Sequence, residues 1–288
     1  ALAMRRAANP VYAAAVGEAL ANLGKLERET GAIPAARARM EEAITEFRAA
    51  YGDRHPRLVD AMNELGWVLQ LRRERDAADR LMSDALAMGR ELLGDRHPDV
   101  ANTRYELGLV KLSRDDLDGA EHELRAALAI YTAAHGEHHP SVATAMDSLA
   151  RVLVRRKQFD EAERLMRDSL AMRRQLHGEH SGEYAAGLTG IATLLRAKGD
   201  PGVEPAYRAA LAAWTTVGGE RHPETATCRV RLAEICADSG RHSEAFELLS
   251  AGEPVLRERI GPRHAESLRA GLALGRALQA LGRHAEAE

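Results

Sequence analysis

Apolar residues recur along this chain in pairs of helical stripes, each pair closed by a polar joint. In residues 52–93, Leu58, Ala61, Met62, Leu65, Gly66, Val68 and Leu69 follow Pro56 at the spacing of one buried helix face. The polar run Arg72-Arg73-Glu74-Arg75-Asp76 interrupts that stripe. A second stripe then carries Ala78, Leu81, Met82, Ala85, Leu86 and Met88 up to Leu92-Leu93-Gly94. Proline just inside a helix start and glycine just past a helix end are the punctuation that helix termini favour. The pattern predicts a unit of helix A, tight turn, helix B, tight turn.

The unit repeats. Its joint reads Gly52-Asp53-Arg54-His55-Pro56, then Gly94-Asp95-Arg96-His97-Pro98, Gly136-Glu137-His138-His139-Pro140, Gly219-Glu220-Arg221-His222-Pro223 and Gly261-Pro262-Arg263-His264-Ala265. The glycines lie 42, 42, 83 and 42 residues apart, and a degraded copy, Gly178-Glu179-His180-Ser181-Gly182, divides the long interval into 42 and 41. A fixed period of this size means stacked copies of one supersecondary unit, so the whole chain, residues 1–288, is expected to be one all-α array. Its repeats fall at 10–51, 52–93, 94–135, 136–177, 178–218 and 219–260, with a partial repeat at 261–288. Small residues recur in register as well. Gly66, Gly108, Ala150, Ala192, Ala233 and Gly275 share one site in helix A, and Ala78, Ala120, Ala162 and Ala245 share one in helix B. Side chains this small let the two helices of a hairpin pack closely.

In its 42-residue period, its Gly-x-x-His-Pro joint and Asn63-Glu64-Leu65-Gly66 in helix A, the chain resembles the tetratricopeptide repeat family, and its kinesin-light-chain-like subclass in particular. That resemblance covers essentially the whole chain. It implies an α-α superhelix, a right-handed solenoid of antiparallel helix pairs, used for protein-protein interaction.

Residues Ala1-Leu2-Ala3-Met4-Arg5-Arg6 match Ser169-Leu170-Ala171-Met172-Arg173-Arg174, so residues 1–9 are expected to be the end of a preceding helix B. The close at Ala285-Glu286-Ala287-Glu288 falls where the last helix B begins. Solenoids need polar caps. Two uncapped ends suggest a segment of a longer array and raise self-association through those ends. Two irregularities stand between residues 180 and 260. The joint Ala197-Lys198-Gly199-Asp200-Pro201-Gly202-Val203-Glu204-Pro205 is one residue short, and Pro254 falls inside a helix B, which it is expected to kink or end. This half of the array is expected to bend or loosen.

Composition narrows the function classes. Hydrophobic content of 45% supports a continuous core, while 4% aromatics requires that core to be built from aliphatic residues. With 40 basic and 43 acidic residues the net charge is -3, which gives no electrostatic reason to expect nucleic acid or an anionic membrane. No apolar run approaches the about 20 residues that span a bilayer. Cys228 and Cys236 lie eight residues apart on one helix. That is about 12 Å, too far for a disulfide. A cytoplasmic chain is expected, of bacterial type.

Catalytic and metal chemistry find little support. His55, His97, His139, His222 and His264 form a row with the pitch of a helix layer, roughly 8–10 Å, whereas zinc ligands converge at about 2.1 Å on one ion. Each is better read as a hydrogen-bonding residue of the turn, with the proline fixing the start of helix A. The cluster His135, His138 and His139, with His177 and His180 one unit on, lacks a cysteine or an ordered carboxylate spacing. Carboxylate pairs such as Glu121/Glu123 and Glu161/Glu163 read as solvated helix faces. No glycine-rich phosphate loop, nucleophile elbow or His-Glu-x-x-His is present. The expectation is a non-enzyme with no cofactor and no metal.

The family resemblance implies a concave groove lined by helix A positions three before and one after the small site, plus the next turn. In this sequence those are Asn63, Trp67 and Gln70; Tyr105, Leu109 and Leu112; Asp147, Arg151 and Val154; Thr189, Thr193 and Arg196; Val230 and Glu234; Leu272 and Arg276. Trp67, Tyr105 and Leu109 are expected side by side as an apolar anchor for a partner side chain. Arg151, Arg155 and Arg196 are expected to cluster mid-groove with few offsetting acids, which favours an acidic peptide or a carboxylate. The resulting expectation is an interaction scaffold that binds a protein or peptide partner in its groove. The rival expectation is a regulatory or sensing segment of a larger bacterial signalling protein, such as a serine/threonine kinase or nucleotide-dependent regulator.

Overall fold

The computed structural model describes residues 10–287, and all their regular elements are helical. The helix end expected over residues 1–9 lies outside the described residues. By packing, the chain forms two compact units, one ending at Arg156 and one beginning at Lys157.

The first unit contains α1 (Pro10–Glu29), α2 (Ile33–Tyr51), α3 (Pro56–Leu71), α4 (Arg75–Leu93), α5 (Pro98–Ser113), α6 (Leu117–His135) and α7 (Pro140–Arg155). Odd-numbered members are A helices and even-numbered members are B helices. The core joins Met40 and Phe47 of α2 to Leu58 and Leu65 of α3, Met82 of α4 and Leu107 of α5. The shared small site is tight: a Cβ added at Gly66 would lie 2.5 Å from Met82 Cε, and one at Gly108 would lie 2.8 Å from Leu124 Cγ.

The second unit contains α8 (Phe159–His177), α9 (Gly182–Lys198), α10 (Val203–Gly218), α11 (Pro223–Asp238), α12 (His242–Arg259), α13 (Ala265–Ala280) and the short α14 (His284–Ala287). Tyr207, Leu232, Leu249 and Leu256 lead its core, and Trp214 packs with Cys228 in a neighbouring cluster. Cys228 and Cys236 are both buried free thiols.

The joint between repeats now has a structural role. The joint glycine closes helix B at φ near +80° and ψ near 180°, for example 85° and 158° at Gly94, a region open essentially to glycine alone. The histidine three residues on is the N-cap of the next helix. Its Nδ1 accepts from the N–H of Arg57, Asp99, Ser141, Glu224 or Glu266, at 3.2–3.3 Å in all five copies. Three of these rings also stack on the end of the preceding helix: His55 on Tyr51, His139 on His135 and His222 on Trp214. At the degraded joint Ser181 takes over the cap, its Oγ accepting from the Tyr184 N–H at 3.2 Å.

The turn inside each repeat is equally regular. Residues 31, 73, 115, 157, 199, 240 and 282 all have positive φ, at Gly31, Arg73, Asp115, Lys157, Gly199, Gly240 and Gly282. At six of these turns the next residue donates back to helix A, as Glu74 N–H does to the Leu69 carbonyl at 2.9 Å, which is the Schellman closure.

Pro254, expected to kink or end its helix, does not end it: α12 continues through Pro254 to Arg259. Pro254 is on the exposed face, so the carbonyl it leaves without a donor meets solvent. The segment from 180 to 260 keeps regular helices. Its four helices are 16 to 18 residues long, and the short joint is tied by Asp200 Oδ1, which accepts from the Gly202 N–H at 2.8 Å.

Candidate functional site

The α3 positions expected in the groove are spaced along one face, and the structure gives them different work. Asn63 is only 7% exposed. Its Nδ2 donates to Thr103 Oγ1 at 2.8 Å, and the Thr103 hydroxyl donates onward to the Asp99 carbonyl at 3.2 Å. Because Thr103 has spent its single proton on Asp99, it can only accept from Asn63, and this fixes the amide orientation. Asn63 Oδ1 then lies buried without a hydrogen-bond partner, as does Oε1 of Gln70. Trp67 is half-buried against the core, and its side chain hydrogen-bonds to Glu106.

Tyr105 turns towards α7, its hydroxyl 3.1 Å from Ser148 Oγ. No ring contact joins Trp67 and Tyr105 among the described residues, so the aromatic pair is not a stacked one. Leu109 remains half-exposed and Leu112 is buried. Arg155 reaches back one repeat, donating to the Leu112 carbonyl at 3.0 Å and to Asp115 at 2.5 Å. Arg151 is exposed.

In the second unit Thr189 accepts from the Trp214 indole N–H at 3.0 Å, and Thr193 donates to the Thr189 carbonyl at 2.8 Å. Both act within the fold. Arg196 binds Glu234 at 2.6 Å, and Arg269 holds the same carboxylate. The expectation of arginines with few offsetting acids is therefore corrected: Arg155 and Arg196 are each met by a carboxylate from a neighbouring repeat. Glu123 departs from its expected solvated face too, being buried and paired with Arg104 at 2.6 Å.

Such pairing one repeat apart is general. Arg37 meets Glu74, Lys111 and Arg114 meet Asp79, Arg156 meets Asp118, Lys198 meets Glu163 and Arg241 meets Glu204. A cleft of about 220 Å³ on α1, α3, α5 and α6 departs from this pattern. Asp60, Glu64, Asp99 and Glu106 line it with Asn63, and among the described residues Lys25 is the one cation in the lining. Lys25 already pairs with Glu64 at 3.3 Å, and Arg28 approaches Glu64 from behind at 3.5 Å. Asp99 has only the ring of His97, 3.5 Å away. Among the described residues Asp60 and Glu106 form no ion pair, although Arg57 and Lys25 act on Asp60 and Lys25 on Glu106 at longer range, and Glu106 Oε2 is buried without a hydrogen-bond partner.

The electrostatics follow. Burial, then repulsion from Glu64 and Asp60, pushes the Glu106 carboxyl up to about 7, against the opposing hydrogen bond from Trp67. Burial and then the Asp99 charge raise Asp60 as well. The sequence did not single out Glu106; the only signal was its position directly after Tyr105 on a groove-lining helix. The second unit has a larger cleft of about 670 Å³, apolar at Leu268 and Leu272 and closed below by the Arg196–Glu234–Arg269 pairs. Among the described residues no group of three or more His, Cys, Asp or Glu side chains is placed to hold a metal ion. No helix among them is long and apolar enough to cross a membrane.

Among curated proteins, none matches the chain by sequence. Among solved structures, BtubC (BKLC) from P. vanneervenii superposes with a TM-score of 0.64 at 21% identity, covering 80% of this chain and 91% of that one. Nearly identical kinesin-light-chain TPR-like repeats from Podosopora anserina give 0.60 at 21%, covering 71% and 97%. A Rap protein complexed with competence and sporulation factor gives 0.62 at 14%, covering 94% and 89%. At these identities the likeness is one of fold. Family models described as tetratricopeptide repeat match residues 16–57 and 58–99, and again 99–175 and 204–258. With a helical hairpin recurring every 42 residues beneath those matches, the chain belongs to the tetratricopeptide repeat family.

Proposed function

We propose that the chain is a non-catalytic interaction scaffold that takes a segment of a protein partner across the face formed by α3 and α5 in the first unit. The observation that carries this reading is the row of buried acceptors with no donor: Asn63 Oδ1, Gln70 Oε1 and Glu106 Oε2. Buried polar atoms without partners are rare and costly in folded proteins. A segment laid across this face would bring backbone or side-chain N–H groups to them. Half-exposed Leu109 and Tyr105 would supply apolar contact beside them.

The partner binds without chemistry being done to it, in keeping with a fold for which no catalytic family is indicated. Two buried free thiols suit a reducing, cytoplasmic setting. A sensing role within a larger signalling protein draws support from the fold likeness to the Rap protein solved with competence and sporulation factor.

The test is capture of partners from the source organism on the immobilised full chain. Leu109→Arg places a bulky charge on the face at a half-exposed site. Leu92→Arg makes the same change on α4, where Leu92 is 38% exposed. Partners kept by wild type and Leu92→Arg but lost by Leu109→Arg are expected. Equal retention by both variants refutes the assignment of the face.

A further inference from the structure

We propose that the cleft between α3 and α5 is a recognition pocket for one basic side chain, a lysine or arginine carried by the segment that the scaffold binds. This rests on the reading above and adds the charge class of the partner.

Asn63 is the first support. It is more than nine-tenths buried, its amide is locked by the Thr103–Asp99 relay, and the oxygen left over lines the cleft. A carbonyl oxygen accepts and cannot donate, so its missing partner is an N–H or O–H donor. Glu106 Oε2 lacks a partner in the same cleft, and a carboxylate asks for a donor bearing positive charge.

Charge is the second support. Glu74, Asp79 and Asp118 each meet a cation from the neighbouring repeat, whereas among the described residues Asp60 and Glu106 form no ion pair and feel only the longer-range charge of Lys25, and at Asp60 of Arg57. The one lysine in the lining is already engaged with Glu64. An ammonium or guanidinium from outside would complete the set, and above about pH 7, where Glu106 is ionised, an anionic residue would face four carboxylates.

Size is the third. At about 220 Å³ the cleft falls below the roughly 300–1,000 Å³ typical of small-molecule sites, and it suits a single side chain. A metal ion is a poor fit, because no three ligating side chains converge among the described residues.

The experiment is a fluorescence-polarisation titration of the full chain with a labelled (Ala-Lys)4 peptide and its (Ala-Gln)4 and (Ala-Glu)4 twins. The lysine peptide is expected to bind at least about tenfold more tightly than either twin, and to weaken as salt rises. Glu106→Gln keeps shape and removes the charge, and should weaken the lysine peptide about tenfold, the size of one charge-assisted hydrogen bond. Asp84→Asn, at an exposed acid on α4, makes the same change in net charge and should leave binding unaltered. Lys25→Gln removes the competing cation and should tighten it severalfold. Circular dichroism on each variant separates loss of binding from loss of fold.

Equal binding of the lysine and glutamine peptides overturns the proposal, as does a Glu106→Gln effect no larger than that of Asp84→Asn. If partner capture still depends on Leu109 in that case, the binding face stands and only its charge class fails. If no peptide binds and capture is indifferent to Leu109→Arg, both fall.

Discussion

Glu106→Gln should stabilise the first unit, and only at neutral and alkaline pH. The folded state raises this carboxyl from 4.5 to about 7, mainly through burial and then through Glu64 and Asp60, with Lys25 opposing. A raised carboxyl gives its full contribution while protonated, below the unfolded value, and that contribution is lost as pH climbs through the folded value. The shift corresponds to roughly 3 kcal/mol at about 1.4 kcal/mol per unit. Half-burial leaves some solvent screening, so about 2 kcal/mol is the working figure. Glutamine keeps an acceptor for the Trp67 indole and carries no charge to desolvate. The variant should therefore match wild type at pH 4 and exceed it by about 2 kcal/mol at pH 8. Urea unfolding followed by Trp67 fluorescence reads this locally if both proteins carry Trp214→Phe, since the chain has only two tryptophans. Equal differences at pH 4 and pH 8, or a wild type that outlasts the variant at pH 8, would refute the account. Together with weaker binding of the lysine peptide, the result would mark Glu106 as a residue kept for recognition against the interest of stability.

The remaining predictions concern the backbone. Gly108→Ala drives a Cβ to 2.8 Å from the branch atom of Leu124, so overpacking should outweigh helix propensity and cost about 1–2 kcal/mol; Gly190→Ala, whose Cβ meets nothing within 4 Å, should stabilise by about 0.5–1 kcal/mol. Thermal unfolding of the two variants should move in opposite directions, and movement in the same direction would show that the shared small site is not tight. Arg73→Gly and Lys157→Gly relieve residues at φ of 63° and 61° and should each raise stability by about 0.5–1 kcal/mol in urea unfolding. Destabilisation by both would mean that the left-handed turn is not where the strain lies.

The repeat was readable because its punctuation is chemical. Glycine at φ near +80° with extended ψ has no substitute, and histidine or serine before helix A is a cap, so those positions stand out from residues alone. The turn inside each repeat has the same left-handed site but hides it, because Arg73, Asp115 and Lys157 occupy it where later copies have glycine. Pro254 misled for a related reason: proline's cost depends on which face its missing donor lies, and one sequence does not declare the face. The expected groove was legible as positions and not as chemistry. Asn63 and Gln70 do carry free acceptors, yet Thr189 and Thr193 serve the fold, and Arg155 and Arg196 are neutralised by residues some forty positions away. Those partners belong to other repeats, so no local pattern reveals them.

That pairing across repeats also explains why the acidic cleft carries meaning. In a solenoid each repeat touches only its neighbours, and register between them must be set one layer at a time. Individually these surface ion pairs stabilise by about 0–1 kcal/mol, too little to hold the fold, but a carboxylate opposite each cation penalises a misplaced layer. Such a rule predicts balanced charge along the stack, and Arg37–Glu74, Arg114–Asp79 and Arg156–Asp118 obey it within the first unit. Asp60 and Glu106 depart from it, in a stretch where the fixed amide oxygen of Asn63 is also left without a donor. Register alone gives no reason to retain two unmatched acids beside an unmatched acceptor. A positive group supplied by the partner resolves all three at once.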